Sequence, residues 1–329
     1  MKRTSLAPFG SSALLSLFTF CTLAIGAIAF AQDDAQDLTK VDADYATQGE
    51  YSGTDGEDNI GVQVIAMGDG TFQAVAYMGG LPGDGWNGEK PNRVDGKRDG
   101  DTVKFDDGER YSGTIEQEVM TIFDEGKQVI QLKRVERKSP TLGKKPPEGA
   151  LVFFDGSNLD QWKAGAKMTD HGLLMQGANT KTTFGSGRLH LEFRTPYKPK
   201  ARGQGRGNSG CYMQARYEVQ VLDSFGLEGK HNECGGVYSV KDPDQNMCFP
   251  PLTWQTYDID FTAAEFVGDK KIKNARMTVR HNGVVVHDDI EVPKRTTASP
   301  LGEGKERGYL HLQNHGNPVR YRNIWFVEK

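Results

Sequence analysis

The chain carries no sustained 3.6-residue apolar stripe, no basic run, and no apolar stretch after Phe30 long enough to span a bilayer. The first absence excludes a helical bundle. The second, with a formal net charge of −4, removes the counterion-release contacts that hold nucleic acid. The third leaves nothing to cross a membrane once the start of the chain is gone, since a span takes about 20 apolar residues. Cysteine is also scarce, 4 in 329 residues, which is too few for a disulfide-dense scaffold.

The start of the chain has its own logic. Lys2 and Arg3 precede an uncharged, largely apolar run from about Ala13 to Phe30, which ends in Ala29-Phe30-Ala31 before Asp33 and Asp34. That order predicts a signal peptide over residues 1–31. An uncleaved N-terminal anchor is the alternative, and the Ala-x-Ala exit favours cleavage. Phe20 before Cys21 argues against a lipid anchor. The expected location is exported, periplasmic or extracellular, with no membrane span after signal cleavage. The remaining chain is long enough for two domains. Of Cys211, Cys234 and Cys248, the last two flank a loop-like segment and are the candidate disulfide in an oxidising compartment.

What is present is short alternation. Residues 32–48 are polar and acidic and read as a loose segment. From 49 to 137, runs such as Val62-Gln63-Val64-Ile65-Ala66 and Thr71-Phe72-Gln73-Ala74-Val75 are split by Gly and Asp turns, Gly68-Asp69-Gly70 among them. A small antiparallel β domain is predicted. Tyr51-Ser52-Gly53-Thr54 recurs as Tyr111-Ser112-Gly113-Thr114; either two copies of a β-meander or chance accounts for it. Residues 138–149, with Pro140, Pro146 and Pro147, form a Pro/Gly linker. From 150 to 329, alternation returns at Arg188 to Thr195, Tyr217 to Leu222 and Tyr257 to Phe261, and Asn282-Gly283 sits between β-branched runs as a hairpin turn. The expected fold class is all-β, a sandwich or jelly roll preceded by a small antiparallel domain.

Seven motifs then fall in order: Leu151-Val152-Phe153-Phe154-Asp155-Gly156 with Trp162, Leu191-Glu192-Phe193-Arg194, Asn208-Ser209-Gly210, Tyr217-Glu218-Val219-Gln220-Val221-Leu222-Asp223, Trp254-Gln255-Thr256-Tyr257, Leu312-Gln313-Asn314-His315-Gly316 and Tyr321-Arg322-Asn323-Ile324. His281-Asn282-Gly283 lies in register with them. Together they resemble the 3-keto-disaccharide hydrolase domain over residues 150–329. The resemblance implies a concanavalin A-like jelly roll in an exported, carbohydrate-active protein. The chain departs at Asn314, where the family often has Asp, and at Cys211, where it usually has an aliphatic residue. The segment Glu228 to Cys234 reads as a subfamily insertion.

Parity nominates the chemistry. If Leu189, Leu191 and Phe193 take the core, His190, Glu192 and Arg194 share the other face, as a polar cleft or as a solvated ion-paired surface. Glu218 and Gln220 share a face in the same way, with Asp223 at the strand end. The pattern is similar to the Glu-x-Asp-x-x-Glu strand of laminarinase-type glycosidases, but an amide replaces the middle acid. Glu218 and Asp223 have opposite parity, so a two-carboxylate hydrolysis is poorly served. A 3-keto sugar offers another route: a base removes the acidified hydrogen at C2, the enolate expels the glycosidic oxygen from C1, and water adds back. Glu218 or Glu192 is the expected base, His315 or His311 the acid, and Arg194 or Arg322 the group that holds the enolate. Asn208, Gln220, Asp223, His311, Gln313 and Arg322 are expected to bind substrate. A divalent metal on His311, His315 and a carboxylate is an open alternative to sugar hydrogen bonding. The Gly-rich loop Arg202 to Asn208 lacks Gly-Lys-Ser/Thr and is no phosphate loop. Trp86, in the Gly79 to Gly88 loop, either stacks on a sugar or caps a small core. The expected partner is a carbohydrate and not nucleic acid. A non-catalytic glycan-binding module and an envelope scaffold on the same fold are the competing readings.

Overall fold

The computed structural model describes residues 38–56 and 58–329; the expected signal peptide, residues 1–31, lies outside the described residues. The first unit is built by strands β1 (Gly49–Asp55), β2 (Asp58–Gly68), β3 (Thr71–Met78), β4 (Asn92–Asp99), β5 (Thr102–Asp106), β6 (Tyr111–Glu116), β7 (Val119–Asp124) and β8 (Lys127–Val135). Each pairs antiparallel with the next, and β1 closes on β8. The alternation read in the sequence places Val62, Val64, Phe72, Ala74, Val103, Phe105, Ile115 and Leu132 in one buried cluster. Eight strands leave an interior that side chains just fill. The two Tyr-Ser-Gly-Thr segments are β1 and the start of β6, each leading a meander of three strands.

Residues 38–48 are not the loose stretch expected of them. Ala43–Thr47 forms a short helix, α1, whose first turn is capped by the Asp42 carboxylate. Asp44 accepts from the Gly70 amide at 2.8 Å and pairs with Arg98 at 3.0 Å. Acidic residues here cap a helix and hold it to the barrel instead of solvating a tail.

The second unit has two facing sheets. Its strands are β9 (Leu151–Phe154), β10 (Leu174–Met175), β11 (Ala178–Phe184), β12 (Gly187–Arg194), β13 (Ser209–Met213), β14 (Tyr217–Val221), β15 (Gln255–Thr262), β16 (Glu265–Val267), β17 (Lys270–Lys273), β18 (Ala275–His281), β19 (Val284–Val292), β20 (Gly308–Leu312) and β21 (Arg320–Glu328). The larger sheet runs β10-β21-β12-β15-β18-β19, with β9 also on β21; the smaller runs β11-β20-β13-β14; β16 and β17 form a separate hairpin. Leu189, Leu191, Phe193, Ile259 and Val279 from the larger sheet meet Cys211, Met213, Val219, Val221 and Leu312 from the smaller in one core. Asn282 and Gly283 both have positive φ, 50° and 83°, as a two-residue hairpin turn requires.

The barrel docks on the jelly roll. Ile65, Val75 and Tyr77 of the barrel belong to the jelly-roll core cluster, and Tyr197 and Leu252 of the jelly roll belong to the barrel cluster. The buried Arg206 binds Asp223 at 2.7 Å and reaches the Ala66 carbonyl of β2 at 3.3 Å. Residues 138–149 have no regular structure, yet they lie fixed across the outer face of the larger sheet. Ser139 and Thr141 bond Thr256, at 2.6 and 2.9 Å; Thr141 donates to Asp258 at 2.7 Å; and the Lys144 carbonyl accepts from Asn323 and Trp325 at 3.0 and 3.2 Å. Among the described residues no helix is long and apolar enough to cross a membrane.

Candidate functional site

The outer face of the smaller sheet gathers the polar residues. On β14, Tyr217, Val219 and Val221 face the core, so Glu218 and Gln220 face out. Across the pair, Tyr212 lies opposite Glu218 and Gly210 opposite Gln220. Loops close over this face and leave a hollow of about 200 Å³, lined by Glu218, Gln220, Tyr212, Asn208, Gln313 and His315, with Gln204, Tyr238, Thr297 and Ala298 on its walls. Glu218 is 2 % exposed. Burial pushes its carboxyl up to about 8, against the opposing hydrogen bond from Tyr212. Near neutral pH this is a carboxylic acid and a proton donor.

The surrounding contacts hold that acid in place. Gln313 donates to the Tyr212 hydroxyl at 3.1 Å. One end of the Gln220 amide lies 3.0 Å from Glu218 Oε1 and 2.9 Å from the Ser209 carbonyl, and the other lies 2.9 Å from Gln204 Oε1. Asn208 donates to Gln204 at 2.7 Å, and its own Oδ1 has no partner among the described residues. The Glu218 amide is bonded to Thr296 at 3.0 Å. Gly210 makes the room: a Cβ there would lie 2.2 Å from Glu218 Oε1 and 2.7 Å from the Tyr212 ring. Gly210→Ala is expected to displace the carboxyl and lower kcat/KM at least about tenfold with little change in Tm, because small geometric errors at a reacting group are amplified in rate. Steady-state kinetics beside a thermal melt would check it.

The structure brings together Glu218, Gln220, Asn208, Gln313 and His315, and leaves the other expected site residues elsewhere. His311 stands behind the hollow with its ring 5.1 Å from Tyr212 and its Nδ1 2.7 Å from Asn179. Burial pushes its pKa down to about 4, so it is a poor proton donor. Asp223 sits in the barrel interface on Arg206 and offers nothing to a ligand. Glu192, Arg194 and Arg322 lie on the larger sheet, where residues 138–149 cover them in part. Glu192 is fully buried and accepts from the Gly143 amide at 2.6 Å, Arg322 at 2.7 Å and Asn323 at 2.8 Å. Burial would raise its pKa, but these bonds and His190 outweigh burial and lower it to about 2. His190 in turn binds Asp258 at 2.9 Å. Arg194 and Arg322 bracket Trp254, at 5.1 and 4.0 Å from its ring. The expected cleft is thus a polar seam in which the buried Glu192 fastens the linker, while Arg194 lies over Trp254.

Nor is there a Cys234–Cys248 disulfide. Both are free, buried thiols; Cys234 lies 3.2 Å from the Tyr257 hydroxyl, and Cys248 donates to the Leu222 and Phe249 carbonyls at 3.5 and 3.4 Å. Among the described residues no group of three or more His, Cys, Asp or Glu side chains could hold a metal ion. Trp86 packs against the core and meets Tyr77 edge-on at 5.5 Å, a capping role. Sequence reasoning passed over Tyr212, Gly210, Tyr238 and Thr297. Tyr212 and Gly210 share the outward parity of β13 and were within reach of the pairing argument. Tyr238 and Thr297 come from distant loops that no local pattern marks.

This architecture defines a jelly roll with a polar hollow on its smaller sheet, centred on a buried acid. Residues 149–327 match the family described as the 3-keto-alpha-glucoside-1,2-lyase-like domain, and the chain belongs to that family. Among solved structures, a protein of Parabacteroides distasonis, provisionally described as a glycosyl hydrolase, is 31% identical with a TM-score of 0.51; the match covers 56% of this chain and 86% of that one. A second protein of that organism with the same description is 17% identical, with a TM-score of 0.42 and coverage of 55% and 94%. No curated protein matches the chain. The family and the first of these structures support a glycoside-hydrolase-like role with a carbohydrate substrate.

Proposed function

We propose that the chain is an exported enzyme that cleaves 3-keto-glycosides by elimination and hydration, with Glu218 as the acid. The observation that carries this reading is a solitary, buried carboxyl in a polar hollow. Glu218 is the only carboxylate among the described residues that line it. Retaining and inverting hydrolysis each need a pair, about 5 Å or about 6.5–9.5 Å apart. Elimination needs one acid at the leaving oxygen and one base at C2. His315, exposed on the rim of the hollow, supplies an imidazole as base. The C2 proton passes to His315, the C1=C2 bond forms, the C1–O bond breaks, and Glu218 protonates the departing oxygen. The enolate oxygen at C3 meets the amides of Asn208 and Gln313 instead of the arginines first expected. Water then adds across C1=C2, its hydroxyl to C1 and a proton to C2, which gives the free 3-keto sugar.

The test is incubation with a 3-keto-glucoside in deuterium oxide. Free aglycone and a 3-keto sugar carrying deuterium at C2 are the expected products. Turnover without deuterium at C2 would exclude elimination, and binding without turnover would leave a glycan-binding module. A pH profile provides a second check. Activity needs Glu218 protonated, so kcat/KM should fall as pH rises through about 8.

A further inference from the structure

A second hollow, of about 590 Å³, adjoins the first. The two share Tyr238, Thr297 and Ala298, which form a low ridge between them. The ridge is anchored: Thr296 bonds the Arg216 carbonyl with its amide at 2.9 Å, and its hydroxyl meets the Glu218 amide. The Ser239 and Thr297 hydroxyls meet across it at 3.4 Å. Ser239 and Ala298 both hold a φ of 58°, a left-handed conformation that is strained for a non-glycine residue and clusters at ligand sites. The strand that carries the acid therefore also fixes the wall of the second hollow.

The charge of that hollow is one-sided. Lys294 and Arg295 line it, and its single carboxylate among the described lining residues is Glu303. Both Glu303 oxygens are engaged, one by the Tyr217 hydroxyl at 3.0 Å and the other by Lys271 at 2.7 Å. Its charge is thereby balanced. Arg295 uses one guanidinium nitrogen on Ser299, and Lys294 is exposed at the edge. The hollow presents two cations to whatever lies beyond the ridge.

We propose that the second hollow is the subsite for the leaving half of the substrate, and that it selects a saccharide bearing an anion, a uronate carboxylate or a sulfate. The inference rests on the first hollow being the reacting site. The scissile bond then crosses the ridge at Tyr238, Thr297 and Ala298, and the anion is met by Lys294 and Arg295.

Equilibrium binding to the full chain tests this without relying on turnover. Methyl glucuronide, methyl glucoside 6-sulfate and neutral methyl glucoside would be titrated by calorimetry or NMR. The wild type should bind at least one anionic probe about tenfold more tightly than the neutral one at low ionic strength, with the gap narrowing as salt rises. The two anionic arms tell carboxylate from sulfate. In the variant Lys294→Ala/Arg295→Ala the preference should vanish. Equal affinities in the wild type, or a preference that survives in the variant, would overturn the proposal. Preferential anion binding by a protein that leaves 3-keto-glucosides intact would break the reaction assignment and keep the anion subsite.

Discussion

Glu218→Gln is expected to lower kcat on a 3-keto-glucoside by about 10²–10⁴-fold, the range for loss of a positioned general acid. KM should change far less, because the amide keeps the shape and the hydrogen-bonding reach of the side chain toward Tyr212 and Gln220. The fold should not suffer. Glu218 binds its proton more tightly folded than unfolded, since burial raises its pKa from 4.5 to about 8. Stability from this residue is therefore complete below about 4.5 and is lost as pH rises toward 8. A neutral amide removes that loss. The variant should melt no lower than the wild type at pH 8 to 9, while being nearly inactive throughout. Unchanged turnover would remove Glu218 from the mechanism, and a collapsed melt would mean that its role is structural.

Arg206→Ala is expected to cost about 3–5 kcal/mol of stability, since it leaves the Asp223 carboxylate buried without its cation. Asp223 is 1 % exposed and Arg206 6 %, so water does not replace the lost partner. The damage reaches beyond the pair. The same guanidinium caps the Ala66 and Pro199 carbonyls, one on the barrel and one on the jelly roll. Denaturant unfolding should show a lower midpoint. Arg206→Met combined with Asp223→Leu should recover much of the loss, because an apolar pair of similar volume leaves no charge stranded. An unfolding free energy within about 0.5 kcal/mol of wild type in Arg206→Ala would show that the interface does not depend on this contact.

Much of the architecture was legible from alternation. The parity of Leu189, Leu191 and Phe193 set the inner face of β12, and Tyr217, Val219 and Val221 set that of β14. The Asn282-Gly283 turn was readable because so few residues accept two positive φ values in succession. The candidate site was only half legible, for a physical reason. Glu192 and Glu218 show the same local pattern, an acid between core residues on a strand. What separates them is what covers the outer face. Over Glu192 lies a segment about 50 residues earlier in the chain, which supplies an amide and, with the neighbouring strand, an arginine. Over Glu218 the loops leave space, and the carboxyl keeps its proton. Strand parity carries no information about such coverage. The disulfide was misjudged in a similar way: spacing and compartment suggested a bond, whereas both cysteines are free in the core, Cys234 on the Tyr257 hydroxyl and Cys248 on backbone carbonyls. Asp223 looked like the end of a binding strand, and its use as an interface counter-ion depends on Arg206 and on a barrel whose docking no motif announces.

The strap from Ser139 to Lys144 has one more implication. The part of the chain that is similar to its family begins at residue 149, but the groups that seal Asp258 and Glu192 are Thr141 and Gly143, and Ser139 before them binds Thr256. The hereditary boundary and the thermodynamic boundary fall in different places. A fragment cut where the likeness starts would leave Glu192, Asp258 and the Trp325 indole without their covering groups and open to water. An excised piece that is to keep its shape should start before Ser139.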